Sequence, residues 1–210
     1  MDSYQITAST FNKLANRYQA KYMDFDFYLD TYDAFCDLVD TPHAKIFELG
    51  CGPGNISRYM LNKRADYQWF GIDIAPNMVD LAKANNPTAT FAVMDCREVG
   101  QVNRKYDAIL CGFCAPYLSK RDVEILISNA RKLLHAGGIF HLSAMEDADT
   151  RSGLETSSAG DQVYIYYHQF EHIKKHLELN GFEILRVLRK AFPCTSAKPT
   201  TDMFIYARAI

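Results

Sequence analysis

The feature that most constrains this chain is Phe47-Glu48-Leu49-Gly50-Cys51-Gly52-Pro53-Gly54-Asn55, where an apolar run passes straight into three glycines at alternate positions and then into a helical pattern. Glycines accept left-handed backbone and leave room for a ligand against the main chain, so a strand, a tight turn and a helix start are implied together. Around this segment, strand-like runs alternate with helical patterns: Lys45 to Leu49, Asn55 to Asn62, Trp69 to Ile74, Asn77 to Ala84, Ala89 to Met94, Tyr106 to Cys111, Arg121 to Leu134 and Gly138 to Ala144. Such alternation predicts an α/β fold, a doubly wound, mostly parallel sheet with helices on both faces.

The polar, Gly/Ser-rich stretch Glu146 to Gln162 interrupts the pattern and predicts one long loop of the kind that often serves as a lid. Beyond it come a strand-like run, Val163 to Tyr167, a helix from Gln169 to Leu179 ended by Asn180-Gly181, and two further strand-like runs, Phe182 to Leu188 and Met203 to Ile210. The last two are separated by about fourteen residues with no helical pattern, too short for a crossover, so they should pair antiparallel. The expected layout is a single domain over 1–210: N-terminal lid helices (1–40), a ligand-binding core (45–145), a substrate-side loop (146–168), and a C-terminal helix with an antiparallel strand pair (169–210).

With 210 residues and 48% hydrophobic composition, a core can form without disulfides or metals. A net charge of −2 gives no electrostatic reason to expect nucleic acid or an anionic membrane, and the basic clusters Lys174-Lys175 and Arg186 to Lys190 are short. No apolar run reaches the roughly 18 residues of a membrane helix, and Met1 to Tyr22 lacks the charged start and apolar run of a secretory signal. A cytoplasmic location is expected, with Cys36, Cys51, Cys96, Cys111, Cys114 and Cys194 as reduced thiols.

Two carboxylates refine the glycine turn. Asp73 ends the strand Trp69 to Ile74 about twenty residues beyond the turn, where it can accept ribose hydroxyls or simply cap the helix after Pro76. NAD and S-adenosylmethionine both use such an acid. A dinucleotide fingerprint wants a third glycine where this chain has Asn55. Asp95, at the tip of the next strand, can accept from an adenine amino group.

On the segments Glu48 to Gly54, Gly71-Ile72-Asp73, Met94-Asp95 and Leu133 to Gly138, the chain resembles the class I S-adenosylmethionine-dependent methyltransferases, in particular their small-molecule branch, from about Phe11 to Ile210. The resemblance implies a seven-stranded, Rossmann-like sheet with its last strand antiparallel, and S-adenosylmethionine as cofactor with S-adenosylhomocysteine as product. It implies a cofactor site of Tyr18, Glu48, Gly50, Cys51, Gly52, Asn55, Asp73, Ile74, Met78, Asp95, Cys96 and Cys111. The glycine turn would press on the methionine moiety, Asp73 would hold the ribose, Met78 would pack on the adenine, and Asp95 with Cys96 would read its edge. Phe11 to Tyr18 resembles the family's lid helix; as a plain amphipathic stripe it would need no ligand.

The acceptor, an unidentified small molecule, is expected beyond Cys111-Gly112-Phe113-Cys114-Ala115-Pro116-Tyr117, with Tyr117 as a pocket wall and His168 contacting the acceptor or taking its proton. The pair Cys111 and Cys114 is expected to be core packing rather than a metal or redox site. His168-Gln169-Phe170-Glu171-His172 matches an inverted zinc-protease motif short enough to arise by chance, and no metal is expected. The rival functions are a nicotinamide-dependent oxidoreductase and a catalytically silent S-adenosylmethionine-binding protein.

Overall fold

The computed structural model describes residues 2–192 and 200–210. In chain order its elements are α1 (Ser3–Tyr22), α2 (Leu29–Leu38), β1 (Lys45–Leu49), α3 (Asn55–Lys63), β2 (Gln68–Asp73), α4 (Pro76–Asn85), β3 (Thr90–Val93), β4 (Tyr106–Cys111), α5 (Lys120–Leu133), β5 (Leu134–Glu146), β6 (Gly153–Thr156), β7 (Gln162–Ile165), α6 (Phe170–Leu179), β8 (Phe182–Ala191) and β9 (Thr201–Ala209). Seven strands form one sheet in the order β3-β2-β1-β4-β5-β9-β8. The first five are mutually parallel, whereas β9 runs antiparallel to β5 and to β8. The reversed last strand thus agrees with the expectation drawn from the short connection.

Helices cover both faces, which is why Ile46 to Leu49 of β1 is buried residue after residue instead of alternating. On α5, Ser119 caps the N-terminus, and Val123, Leu126, Ile127, Ala130 and Leu133 recur at helical spacing as the buried stripe. That stripe packs with Ile173 and Leu177 of α6 on Phe47, Ile109 and Phe140. The opposite face is closed by Phe35, Ile56, Met60 and Val79 of α2, α3 and α4 against Ile46, Ala108 and Leu110. Each such large apolar side chain contributes about 1.5–3 kcal/mol by leaving water. No helix among the described residues is long and apolar enough to cross a membrane.

The region expected to be one long loop is more ordered. β5 continues to Glu146, Asp149–Arg151 forms a 3-10 turn, and β6 pairs antiparallel with β7 as a separate two-stranded ribbon. Local pattern conceals the ribbon because β6 is largely exposed and polar. Its order comes from α1: Thr10 Oγ1 donates to the Gln162 carbonyl (2.6 Å), Lys13 pairs with Asp161 (2.7 Å), and the Tyr164 amide donates to Thr7 Oγ1 (3.0 Å). Within the same stretch α1 is also pinned to α4 by two hydrogen bonds between Asn12 and Asn77, of 2.8 and 2.9 Å. The helix therefore lies as a strap across the carboxyl ends of the strands, where the order reverses between β1 and β4 and doubly wound sheets open a crevice.

Candidate active site

The crevice is a cavity of about 920 Å³, including its open mouth, roofed by α1. Its floor is the turn after β1, where Gly50, Gly52 and Gly54 take φ of +69°, +52° and +77°. The Cys51 amide donates to the Ile72 carbonyl (2.9 Å) and the Asn86 side chain to the Gly54 carbonyl (3.0 Å), fixing the turn between β2 and α4. A Cβ built on Gly50 would lie 2.8 Å from Cys114 Cβ, whereas one on Gly52 would point into the cavity with nothing closer than 3.9 Å. The first glycine is thus required by packing, and the second leaves a cradle open to a ligand. Gly50→Ala is expected to cost about 2 kcal/mol from the left-handed backbone and the Cys114 contact together, lowering Tm by about 5 °C in thermal denaturation. An unchanged Tm would mean that the turn relaxes freely.

Asp73 at the tip of β2 accepts the Gly52 amide on Oδ2 and the Ala75 amide on Oδ1, both at 2.9 Å. Burial raises its pKa, and these amide bonds act the other way, holding charge next to the cradle. Of the sequence-expected cofactor residues, Tyr18, Gly50, Cys51, Gly52, Asn55, Asp73, Ile74, Met78, Asp95 and Cys96 all line this one cavity, together with Tyr117.

Two do not. Glu48 is buried beneath the turn, where its Oε2 accepts from Ser57 Oγ and from Trp69 Nε1 (2.9 Å). Cys111 is wholly enclosed in the core behind the cavity wall. Both sit on strands at positions whose side chains turn inward between sheet and helices, not outward past the strand end.

His168 is a third departure. It has no exposed surface, its amide donates to the Met145 carbonyl, and its Nε2 lies 3.0 Å from the Ala115 carbonyl oxygen. Burial pushes its pKa down, so it stays neutral and fastens the β7–α6 connection to the turn after β4 without facing the cavity. Asp95 does face it, but both carboxylate oxygens already take bonds from Arg97, whose guanidinium lies 3.9 Å from the Tyr4 ring centroid. Cys96 and Cys114 bring their sulfurs to 3.5 Å, and Cys114 also contacts its motif partner Cys111. The five described cysteines are free; Cys194 lies outside the described residues.

Sequence reasoning missed Tyr4, Thr7, Ala8 and Arg97 as lining residues. The signal was present: Tyr4, Ala8, Phe11, Ala15 and Tyr18 continue one helical stripe toward the N-terminus. It also missed Phe113, whose φ of +56° is rare for a bulky residue and is held by an amide bond to Ser143 Oγ (2.6 Å). That conformation puts Phe113 at the junction of the first cavity and a second of about 780 Å³, likewise including its open mouth.

The second chamber is walled by Tyr22, Phe25, Tyr28, Tyr32 and Phe192, with Asp202 at its edge, and shares Tyr18, Asn55, Phe113 and Tyr117 with the first. Asp202 is 3% exposed and accepts the Tyr28 hydroxyl at 2.5 Å, and burial raises its pKa.

Residues 46–138 match the sequence model of a family described as a methyltransferase domain. A protein of Invertebrate iridescent virus 6 bearing a methyltransferase name is 30% identical over 114 residues, 54% of this chain and 42% of its own length. The malonyl-[acyl-carrier protein] O-methyltransferase of Acetivibrio thermocellus is 33% identical over 76 residues, 35% of this chain and 26% of its own. The chain thus spans less than half the length of these curated relatives. Among solved structures, magnesium protoporphyrin IX methyltransferase from Synechocystis with bound S-adenosylmethionine is similar in fold, with a TM-score of 0.73 at 20% identity over 100% of this chain and 98% of that one.

Proposed function

We propose that this chain, whose residues 46–138 match a methyltransferase-domain family, is a class I S-adenosylmethionine-dependent methyltransferase that transfers the methyl group of S-adenosylmethionine to a small molecule seated in the aromatic chamber. The observation that carries this reading is the wall of Tyr18, Asn55, Phe113 and Tyr117 shared by the two cavities, across which two bound ligands would meet. The glycine cradle, Asp73, Ile74, Met78, Asp95 and Cys96 would hold the cofactor, which supplies a methyl carbon already activated by its sulfonium.

Given that activation, the protein's task is alignment and exclusion of water. The α1 strap covers the cleft, and the faces of Tyr18 and Tyr117 give a positive centre aromatic surface. No dedicated base is required, and His168 is not assigned one. The chamber suits a planar, partly apolar acceptor, and Asp202 offers a buried carboxylate for a hydrogen-bond donor on it. The free thiols and the net charge of −2 fit a cytoplasmic protein acting on metabolites rather than on nucleic acid.

The test is calorimetric titration with S-adenosylmethionine, S-adenosylhomocysteine and NAD, followed by incubation of methyl-labelled cofactor with a low-molecular-mass cell extract. Micromolar binding of both sulfur ligands and label recovered in the small-molecule fraction are expected. Binding of NAD with neither sulfur ligand would replace this reading with the oxidoreductase. Sulfur-ligand binding with no label transferred from any extract would favour the silent binding protein.

A further inference from the structure

On the far side of the turn after β4, three potential metal ligands converge that play no part in methyl transfer. His172 and His176 lie at i and i+4 on α6, on one face, with ring centroids 4.7 Å apart. Both direct Nε2 at the same atom: His172 Nε2 is 3.1 Å and His176 Nε2 3.5 Å from Glu124 Oε1 on α5. The three ligating atoms lie within 4.8 Å of one another. The His172 Nε2 atom is buried and has no well-aligned hydrogen-bond partner among the described residues, which is costly for an imidazole nitrogen without another role.

The spacing suits an ion better than hydrogen bonds. Zinc bonds of roughly 2.0–2.2 Å in a tetrahedral arrangement separate neighbouring ligand atoms by roughly 3.3–3.6 Å, close to the N–O separations of 3.1 and 3.5 Å. We propose that Glu124, His172 and His176 form a binding site for a divalent transition-metal ion, zinc foremost, that clamps α5 to α6. Two imidazoles and one carboxylate with no thiolate select a borderline ion over magnesium or calcium. The side chains are 21–33% exposed, so an ion can enter and solvent can take the fourth position. Lys120, one turn earlier on α5, is paired with Asp149, which occupies the nearest ammonium. The set differs from the inverted protease motif: His168 is engaged at Ala115, and Glu124 comes from another helix.

The site has a structural consequence. α5 starts two residues after Leu118, and His168 ties the approach to α6 to Ala115, so a clamp between these helices braces the Cys114-to-Leu118 turn, whose Tyr117 walls both cavities.

The test uses tag-free, metal-stripped full-length protein titrated with Zn²⁺ by calorimetry and with Co²⁺ by absorption spectroscopy. One equivalent of Zn²⁺, a rise in Tm on its addition, and a tetrahedral Co²⁺ spectrum without thiolate charge transfer are expected. His176→Gln and Glu124→Gln, on different helices, should each weaken binding at least about tenfold while leaving the metal-free Tm and S-adenosylhomocysteine binding unchanged. Absence of binding, a thiolate spectrum implicating the cysteines, or unaltered affinity in both variants would overturn the site.

Discussion

Asp73→Ala is expected to weaken binding of S-adenosylhomocysteine about a hundredfold while leaving the protein folded. The carboxylate is held at the cradle by the Gly52 and Ala75 amides, each at 2.9 Å, and it lines the cavity at the end of β2. A ribose donating two hydroxyls to it gains charge-assisted bonds of about 1.5–3 kcal/mol each. Alanine removes both and frees the Gly52 amide, so a loss of about 3 kcal/mol in binding, equal to roughly two decades in Kd, is the expected order. Asp73→Asn keeps one acceptor oxygen and should fall between. Calorimetry gives the affinities, and thermal denaturation guards against misfolding. Affinity within about threefold of wild type in a folded Asp73→Ala protein would remove Asp73 from the cofactor site.

Much of this arrangement is legible in the sequence because strand-end positions in a doubly wound sheet have few places to go. Once β1, β2 and β3 are recognised as adjacent, the tips at Gly50, Asp73 and Asp95 must share one crevice, and they line one cavity. Reading fails where a residue's direction depends on packing. His168 follows an aromatic run at a helix approach, a position open to solvent or to the cleft, and only the approach of Ala115 turns it inward. Phe113 gives no local sign of its left-handed backbone, which is imposed by Ser143 thirty residues away. The β6–β7 ribbon depends on α1, 150 residues earlier, and the Glu124–His172–His176 cluster on how α5 lies against α6. In each case the deciding contact is long-range, and composition carries no trace of it.

Glu48 gives the sharpest contrast, because the family resemblance implies a cofactor contact and the structure implies an unusual pH dependence of stability. The side chain is 1% exposed; its Oε2 accepts from Ser57 and Trp69, and its Oε1 has no hydrogen-bond partner among the described residues. Burial raises its pKa from 4.5 to about 7, against the opposing effect of the two donors. Between those values the folded protein retains a proton that the unfolded chain releases. Its contribution is therefore fully present below about pH 4.5, is lost as pH rises toward 7, and stays lost above. The size is about 3 kcal/mol.

Glu48→Gln keeps a carbonyl oxygen for Ser57 and Trp69 and places an uncharged amide where Oε1 lies, so this slope should vanish. Subtracting the variant's stability profile from that of wild type isolates Glu48 from other buried acids and histidines. At pH 8 the variant should be more stable by up to about 3 kcal/mol, with Tm higher by about 8 °C, and near pH 4 the two should converge. Because Glu48 lies beneath the turn, S-adenosylhomocysteine affinity should be unchanged at each pH. Parallel stability profiles combined with weakened cofactor binding would instead put the carboxylate at the ligand, as the resemblance implies, and would mean that the turn after β1 opens to admit it.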